Sequence, residues 1–381
     1  MIRAVLFGTY TASHPANRLL AAQLEAAGLE VVTCHEPLWE HTRDKTAAFF
    51  GARNLASLGG AWLGAAARLA ARLRSLPPAD LVVTGFNGQL DVPLARLVAG
   101  RGARLVFAPL VTLTETLVDD RNVYARGGAK ARAARALDRL TLEIPDLVLT
   151  DTETHRAWIG SELSPRARTA TIYLGAEPGF RPTPPRARAA GDPLRVLFYG
   201  QYVPLHGTDV IVEAAALLGT RSGIELTMIG SGPERAATAR LAAARGTPPI
   251  AFEDWVAYED LPARLAACDV ALGIFGTSVK AGMVIPTKVY QAAASGRAVV
   301  SADTPALREI FTPETDVLTV PSGDAPALAA MLQRLRDTPD LAPRIGTTAG
   351  RLVADELGPA AQGDRIRTIL RATFPDLTRG L

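Results

Sequence analysis

The stretch CDVALGIFGTSVKAGMVIPTKVYQAAASGRAVVSADTPALRE, residues 268–309, decides the fold of this chain. It predicts a buried strand over residues 270–274, a loop that carries glycine and lysine, a helix that ends at Gly296, and a second strand over residues 298–301. A strand, a loop and a helix in this order are typical of an open α/β sheet, whose ligands bind beyond the carboxyl ends of the strands. Backbone N–H groups and a helix start at such an edge favour an anion. The stretch therefore predicts half of a site for a phosphate-bearing ligand.

Length and composition indicate a globular protein of two domains. The chain has 381 residues, and single hydrophobic cores stop growing near about 250–300 residues. Apolar residues make up 48% and charged residues 21%, which argues against disorder. The net charge is only +3 and the arginines are spread among helices, so charge alone gives no reason to expect nucleic acid as a partner.

The cysteines and the lengths of the apolar runs indicate in which cellular compartment the protein is expected. Cys34 and Cys268 are far apart in sequence and lack metal-site spacing, so we expect two buried thiols in a reducing compartment. The first apolar run is too short for a signal peptide, and no run approaches the roughly 20 residues that cross a bilayer. We expect a cytoplasmic protein, at most attached to the inner face of the membrane.

A basic amphipathic helix is predicted over residues 59–76. It places Trp62 and Leu69 along one side, with Arg68 and Arg72 towards the other. Such a helix can lie on anionic lipid, which would make a peripheral membrane contact, but most helices of this kind simply cover a sheet.

Short apolar strands alternate with helix-length segments along both halves of the chain, which predicts doubly wound parallel sheets. A stretch dense in proline and arginine, residues 179–193, separates the halves and is predicted to be a linker. The first-half strands are expected near residues 2–7, 31–33, 81–84, 105–107 and 147–150, and the second-half strands near residues 194–199, 226–229 and 250–252, followed by the two in the stretch quoted first.

The loop after the first strand, GTYTASHPANR, has one glycine where a dinucleotide fingerprint needs three. This argues against a nicotinamide site and so against an NAD-dependent oxidoreductase. Gly8, Tyr10 and Asn17 in this loop are candidates for an open, cleft-facing site. A plain connection between strand and helix remains the alternative.

Carboxylates follow the fourth predicted strand. Glu115 and Asp119 could orient an acceptor hydroxyl or act as a base. The alternative is that the acids in this segment cap the next helix and pair with Arg121. His155, which lies beyond the fifth strand, is predicted to be a helix-start or surface residue, because no metal-binding partner is close in sequence.

Three strand ends in the second half are expected to meet at one pocket. They are GQYVPLHG at residues 200–207, GSGPE at residues 230–234, and the stretch quoted first, with Lys280 and Lys288. Glycine-rich turns at helix starts suit backbone contact with an anion. Their order along one predicted sheet is what makes the set informative.

These motifs resemble the C-terminal half of the GT-B glycosyltransferases of family GT4, the retaining group 1 enzymes. YLGAEPGF (173–180) resembles the family's N-G-x-D…F crossover, and GQYVPLHG its G-R…K-G loop. IGSGPE (229–234) resembles its G-x-G-P-E turn, and VYQAAASGRAVVSADTPALRE (289–309) its E-A-x-A-x-G-x-P-V-V…E signature. The motif resemblance covers residues 194–310, and the first half resembles the family in architecture only.

The sequence departs from the family at its charged positions. Gln201 and His206 stand where the family has Arg and Lys to hold the diphosphate, and the paired acids of the family fall on Met283 and Gln291. We expect His206, Lys280 and Lys288 to supply the missing positive charge. The loss of the acids leaves a non-catalytic sugar-nucleotide-binding or scaffold protein of the same fold as the alternative function.

The resemblance implies two doubly wound, Rossmann-like α/β domains facing a cleft. The first domain, residues 1–178, would hold an acceptor whose identity stays open. Residues 194–361 would bind the donor, and a C-terminal helix in residues 362–381 would return to the first domain. The implied activity is transfer of a sugar from a nucleotide-diphosphate sugar, as co-substrate, with retention, in glycan biosynthesis. No metal is implied, and a phosphate oxygen of the donor would take the acceptor proton.

The implied site residues fall into three groups. The catalytic group is Lys288, His206 and Lys280. The donor-binding group is Gly200, Gln201, Gly207, Gly230, Gly232, Glu234, Val256, Met283, Val284, Ile285, Gln291 and Glu309, with the base near the GSGPE turn and Val256, the ribose near Gln291 and Glu309, and the diphosphate at the amides of residues 283–285. The acceptor-side group is Gly8, Tyr10, Asn17, Glu115 and Asp119.

Overall fold

A computed structural model describes residues 1–38, 52–100, 102–189, 191–220 and 222–377 of the chain. It divides into two compact units, each built on one parallel sheet. The first unit comprises Met1–Leu174 and Leu357–Leu381, and the second comprises Gly175–Glu356. The predicted boundaries, 178 and 361, each lie four or five residues away from these.

The first unit holds six parallel strands in the order β2-β1-β3-β4-β5-β6. The strands are β1 Arg3–Gly8, β2 Glu30–His35, β3 Leu81–Thr84, β4 Arg104–Phe107, β5 Leu147–Thr150 and β6 Thr169–Thr171. The helices that follow them are α1 Pro15–Ala26, α2 Ala52–Ser75, α3 Asp91–Val98, α4 Ala129–Glu143 and α5 Glu153–Trp158. A π-helical segment, Glu115–Asp120, lies between β4 and α4.

Helices cover both faces of this sheet, which explains its continuous apolar strands. In β3, Leu81 and Val83 belong to one core cluster and Val82 belongs to the cluster on the opposite face. Alternate side chains of a strand point to opposite faces, so a strand buried on both sides needs no polar alternation.

The second unit has the strand order β12-β11-β10-β7-β8-β9, again parallel throughout. Its strands are β7 Leu194–Tyr199, β8 Ile224–Ile229, β9 Ile250–Glu253, β10 Val270–Leu272, β11 Ala298–Ala302 and β12 Leu318–Val320. Its helices are α6 Thr208–Leu218, α7 Arg235–Arg245, α8 Leu261–Ala266, α9 Val279–Met283, α10 Thr287–Ala294, α11 Ala325–Asp337 and α12 Leu341–Glu356. The strand order reverses at β7 and β10, which is where open α/β sheets bind ligands.

The C-terminal helix, α13 Pro359–Thr373, packs in the first unit. Ile366 and Leu370 join the core cluster that α1 covers. Gly363 allows the close approach, because a Cβ atom there would lie 2.6 Å from the backbone carbon of Ala26. An arginine from this helix, Arg367, also donates to the Ala26 carbonyl oxygen at 3.0 Å.

The predicted doubly wound α/β architecture is confirmed. Several short elements were not predicted from the sequence. The edge strands β6 and β12 are each three residues long, too short to show an apolar pattern. The loop expected to carry Lys280 is instead the short helix α9, which Ser278 caps by accepting from the N–H of Ala281 at 3.2 Å. None of the described helices has the length and apolar character needed to cross a membrane.

Candidate functional site

The loops at the carboxyl ends of β7 and β8 pack so closely that they require glycine. A Cβ atom on Gly230 would collide with the carbonyl oxygen of Gly200, and one on Gly232 would lie 2.5 Å from the backbone nitrogen of Tyr202. Both loops are joined by hydrogen bonds, including that from the N–H of Tyr202 to the carbonyl oxygen of Ser231 at 3.0 Å. The backbone at this edge of the sheet is therefore rigidly placed.

A second close contact joins the β7 loop to the end of β10. Gly207 adopts a left-handed conformation with φ of 59°, and a Cβ atom there would lie 2.6 Å from the backbone carbon of Phe275. The N–H of Phe275 donates to the carbonyl oxygen of His206 at 3.1 Å. The GQYVPLHG loop is thus fixed on both sides, and it begins α6 with the backbone N–H groups of a helix start.

Lys288 lies in the first turn of α10 and is buried, with 5% of its surface exposed. Its Nζ atom lies 4.0 Å from the centroid of the Phe198 ring and has no hydrogen-bond partner among the described residues. Burial lowers the pKa of this amine well below its ordinary value. Such a buried, unpartnered amine is costly to the fold, so it points to a role other than stability.

Lys288 and His206 converge on the end of β7. A Cβ atom on Gly200 would lie 3.0 Å from Nζ of Lys288 and 3.2 Å from Cε1 of His206. Nδ1 of His206 contacts the carbonyl oxygen of Gln201, which can only accept a hydrogen bond, so Nδ1 carries the proton. The structure thus brings two of the three predicted catalytic side chains together beside Gly200.

The segment that includes the third predicted catalytic residue is more deeply buried than the sequence suggests. Lys280 is 5% exposed, Met283 4% and Ile285 2%. Val284 joins a small apolar cluster with Leu205 from the GQYVPLHG loop. The side chains of residues 283–285 therefore pack inward.

Gln291 has protein partners at both ends of its amide, where the resemblance implied a contact with ribose. Oε1 accepts from the hydroxyl of Tyr199 at 3.0 Å, and Nε2 donates to the Glu177 carboxylate at 3.2 Å and to the Tyr258 hydroxyl oxygen at 2.6 Å. Tyr258 donates its own proton to Glu177. Gln291 is 2% exposed, so its first role is to hold the segment that precedes β7 against α10.

The remaining predicted donor residues surround this buried centre. Gln201 is exposed just after β7, and Val256 is half-buried just after β9. Glu234 precedes α7 and makes no side-chain cap, while its N–H donates to the Tyr202 carbonyl oxygen at 3.1 Å. Glu309 ends a short 3₁₀ turn after β11 and is half-buried.

In the first unit, Asn17 serves as a structural link. Its Nδ2 donates to the carbonyl oxygens of Thr11 and Phe86 at 2.8 and 3.3 Å, and its Oδ1 accepts from the N–H of Phe86 at 2.8 Å. It is 5% exposed. These bonds fix the loops after β1 and β3 to each other, which the sequence could not indicate because Phe86 is 69 residues away from Asn17.

Asp91, for which the sequence predicts no role, is fully buried beside Gly8 at the start of α3. Its carboxylate accepts from the backbone N–H of Thr9 at 2.6 Å and from the indole N–H of Trp62 at 3.0 Å. Burial raises the pKa of Asp91 to about 6, although these hydrogen bonds oppose the shift. Its only signal in the sequence is an acid after a predicted strand.

His155 was expected at a helix start or on the surface, and the structure corrects the second part. The residue lies in the first turn of α5 but is 0% exposed. Nδ1 lies 2.8 Å from Asp151 and Nε2 lies 2.9 Å from Glu115. Burial opposes the charged imidazole, but the two carboxylates outweigh it and raise the pKa of His155 to about 10.

The contact with His155 gives Glu115 a structural role, whereas the sequence suggested that Glu115 binds an acceptor. Glu115 is 0% exposed, and its carboxylate is engaged by His155 and by the hydroxyl of Thr112 at 3.2 Å. Its neighbour Asp119 pairs with Arg126 at 3.3 Å, and burial raises its pKa. In the parts of the chain that the structure describes, no group of three or more His, Cys, Asp or Glu residues is arranged to hold a metal ion.

Tyr10, the remaining acceptor-side candidate, is 5% exposed. Its ring centroid lies 4.7 Å from that of His35, and its carbonyl oxygen lies 2.7 Å from Nε2 of the same histidine. Gly8, Tyr10, Asp91 and His35 therefore form one packed edge at the carboxyl ends of β1 to β3.

Comparisons with known proteins agree with this architecture. Residues 193–338 match the family described as glycosyl transferases group 1. Alpha-D-kanosaminyltransferase of Streptomyces kanamyceticus is 25% identical over 293 residues, which cover 74% of this chain and 71% of that protein.

Two solved structures show the likeness of the whole chain. Sucrose-phosphate synthase from Thermosynechococcus elongatus has a TM-score of 0.71 at 17% identity, covering 99% of this chain and 100% of its own. HepE of Anabaena, solved in complex with UDP, has a TM-score of 0.67 at 14% identity. The match covers 98% of this chain and 100% of the HepE chain. At these identities the solved structures show the fold alone, and the family match concerns residues 193–338. This chain has the GT-B fold, and its residues 193–338 match the group 1 glycosyl transferases.

Proposed function

We propose that this chain transfers a sugar from a nucleotide-diphosphate sugar to an acceptor, with retention of anomeric configuration and without a metal ion, as a member of family GT4. One observation carries the proposal. The amine of Lys288 is buried without a hydrogen-bond partner among the described residues, beside Gly200 and His206 at the carboxyl edge of the second sheet. A donor diphosphate at this edge would give the amine the anionic partner that the protein does not supply.

The chemistry proposed for this site is electrostatic. As the bond between the anomeric carbon and the diphosphate oxygen breaks, the leaving group gains negative charge, and an ammonium group beside it, whose protonated form the phosphates favour, lowers the barrier. Lys288 is a compact charge on a flexible stem, and His206 with its Nδ1 proton fixed could add a second donor when Nε2 is protonated. The acceptor oxygen bonds to the anomeric carbon, and its proton passes to a phosphate oxygen of the donor on the same face.

The relatives suggest which donors to test, and the first unit is the proposed place for the acceptor. HepE was solved with UDP and with UDP-glucose, so uridine nucleotides are the first donors to test. The kanosaminyltransferase favours including amino-sugar donors in the panel. The acceptor is proposed to bind the first unit near Gly8, Tyr10 and Asp119, since Asn17 and Glu115 are committed to structural bonds.

A direct experiment is to incubate the protein with UDP-, GDP-, ADP- and TDP-sugars and to measure nucleotide release with and without acceptors. Release that persists in a chelator, together with a product of unchanged anomeric configuration by NMR, would support the proposal. Failure of every nucleotide to bind would contradict it.

A non-catalytic sugar-nucleotide-binding protein is the second candidate. It is favoured by Met283, which is 4% exposed and uncharged where the family has an acid. This candidate predicts nucleotide binding without turnover for any acceptor. In that case Lys288→Ala would weaken nucleotide binding, and neither the parent nor the variant would transfer a sugar.

We also propose a cytoplasmic location and a peripheral contact of α2 with anionic lipid. Leu63 is 65% exposed on this helix, and Arg72 and Arg74 are exposed in its last turn. Co-sedimentation with phosphatidylglycerol vesicles, compared with phosphatidylcholine vesicles and with Leu63→Ser, tests the contact. Equal sedimentation of the two proteins would argue against it.

A further inference from the structure

A cavity of about 420 Å³ lies in the first unit, at the amino ends of β4, β5 and β6. Ligands of open α/β sheets bind at the opposite, carboxyl edge of the strands, so the fold gives this cavity no assigned role. The cavity is lined by Arg104, Pro145, Asp146, Arg166, Arg168, Thr373, Phe374, Pro375 and Asp376.

Three arginines line this one cavity. Arg104 is the first residue of β4, and Arg166 and Arg168 precede β6. In the described parts of the chain, no hydrogen bond or ion pair engages any of their guanidinium groups, and all three side chains are exposed. The guanidinium of Arg104 does lie 5.7 Å from the centroid of the Phe374 ring.

The acids of the cavity do not balance this charge. The carboxylate of Asp146 already accepts from Arg96 at 2.8 Å and from the backbone N–H of Leu105 at 2.7 Å. That leaves Asp376 as the other acid in the lining, against three arginines. Like charges held together raise the free energy of the empty site, and a multiply charged anion would relieve the repulsion.

The arginines are also held in place by the backbone. The N–H of Arg104 donates to the carbonyl oxygen of Asp80 at 2.9 Å, and the carbonyl oxygen of Arg168 accepts from the N–H of Val148 at 2.8 Å. Both residues are therefore anchored to neighbouring strands of one sheet while their guanidinium groups stay available. Planar guanidinium groups match phosphate oxygens in pairs, which a lysine cannot do.

We propose that this cavity binds a small phosphorylated metabolite through Arg104, Arg166 and Arg168. The volume falls within the range of roughly 300–1,000 Å³ that is typical of small-molecule sites, and is more than a single phosphate needs. The site is separate in sequence and in chemistry from the proposed donor site, which lies in the second unit around Lys288.

The proposal is tested by titrating the full chain with inorganic pyrophosphate in a calorimeter. We expect saturable binding that weakens with added salt, and that loses at least tenfold in affinity in Arg166→Gln/Arg168→Gln. The control Arg240→Gln/Arg351→Gln removes the same charge from two exposed helical positions and should bind as the parent does. Thermal unfolding of each variant checks that the fold is kept, and the single variants Arg166→Gln and Arg168→Gln serve if the double variant is unstable.

The Lys288→Ala variant separates this site from the donor site, because pyrophosphate could also bind there. If the affinity falls in Lys288→Ala and not in the arginine pair, the proposal is wrong while the proposed function stands. Unchanged affinity in the arginine pair, equal loss in the control pair, or no binding at millimolar pyrophosphate would each overturn it. The proposal would also be overturned if Arg166→Gln/Arg168→Gln lost binding to phosphatidylglycerol vesicles but kept its affinity for pyrophosphate. The arginines would then bind a lipid surface and not a small phosphorylated ligand.

Discussion

The side-chain nitrogen of Lys288 lies 4.0 Å from the centroid of the Phe198 ring and has no hydrogen-bond partner among the described residues. A cation over an aromatic face gains about 0.5–2 kcal/mol. That gain does not offset the removal of an amine from water, and burial lowers the pKa of Lys288 well below its ordinary value. The protein therefore keeps a residue that weakens its fold, which is common where function requires it.

Replacing Lys288 by methionine should raise stability and abolish the affinity for nucleotide diphosphates. Methionine fills a similar volume without a polar atom to desolvate, so we expect a gain of about 1–3 kcal/mol at neutral pH. The unfolded chain binds a proton at Lys288 that the folded chain binds less well, so the parent gains stability as pH rises towards the ordinary pKa of 10.5. The difference in the free energy of unfolding between Lys288→Met and the parent should therefore shrink towards pH 10.

Denaturant unfolding at pH 7 and pH 10, together with nucleotide titration, measures these effects. Lys130→Met is the control, because Lys130 is exposed and should change neither quantity appreciably. A Lys288→Met protein that is less stable at pH 7, or that keeps its nucleotide affinity, would contradict the assignment.

Replacing His155 by glutamine should destabilise the first unit in a pH-dependent way. The charged imidazole compensates Glu115 and Asp151, and breaking a buried pair costs about 3–5 kcal/mol. The folded pKa of about 10 lies above the unfolded value of 6.5, so this stability is fully present below pH 6.5 and is lost as pH rises through 10. The difference between parent and variant should follow the same course in unfolding experiments from pH 6 to pH 10.

The double variant His155→Gln/Glu115→Gln provides the matched rescue. It removes one of the buried carboxylates that the single variant leaves uncompensated, so part of the stability should return. A single variant whose loss is the same at pH 6 and pH 10 would show that the histidine is neutral in the folded protein.

Gly230→Ala should disturb the donor edge of the second sheet. The added Cβ would collide with the carbonyl oxygen of Gly200, and φ at this position is 128°. We expect a loss of stability of about 1–3 kcal/mol from overpacking and at least a tenfold loss of nucleotide affinity. Gly246→Ala is the control, since it has φ of 61° and no atom within 4 Å of the added carbon. It should cost about 1 kcal/mol and leave the affinity unchanged. Equal affinities of the two variants would count against the close packing of these loops as a condition for binding.

Gln291→Glu, which restores the acid of the family, should weaken this protein. The new carboxylate would lie beside that of Glu177, from which the amide nitrogen of Gln291 is 3.2 Å distant. Two adjacent buried carboxylates cannot both ionise easily, and we expect a loss of about 1–3 kcal/mol at pH 7. In Gln291→Glu/Glu177→Gln the donor and the acceptor exchange places, so much of the stability should return. If Gln291→Glu is as stable as the parent by urea unfolding, the bond to Glu177 contributes little.

Much of the fold follows from local patterns. The strands β1, β3 and β5 were predicted within a residue or two, because an apolar run between turn residues is visible in the sequence alone. The edge strands β6 and β12 could not be predicted, since their pairing depends on a neighbouring strand and not on their own three residues. The helix α9 is five residues long and depends on the cap at Ser278, so its sequence shows no helical periodicity.

The candidate site was predictable in part. Gly200, Gly230 and Gly232 are predicted from the sequence to offer backbone contacts to an anion. The structure adds that a side chain at Gly230 or Gly232 would collide with the backbone of the neighbouring loop. Gln291 was assigned by its place in a motif, yet its partner Glu177 is 114 residues away. A motif indicates which residue types recur at a position, whereas hydrogen-bond partners depend on which segments pack together.

The sequence by itself determined most of the strands and helices, the division into two α/β units and the resemblance of the second unit to group 1 glycosyl transferases, because these depend on short-range periodicity and on motifs within one stretch of chain. Only the tertiary structure decided the states of the polar side chains. Lys288 is buried beside Phe198 and Gly200, and His155 keeps its proton because Asp151 and Glu115 flank it. Burial and charge pairing are sums over neighbours in space, and sequence periodicity carries no information about which neighbours those are.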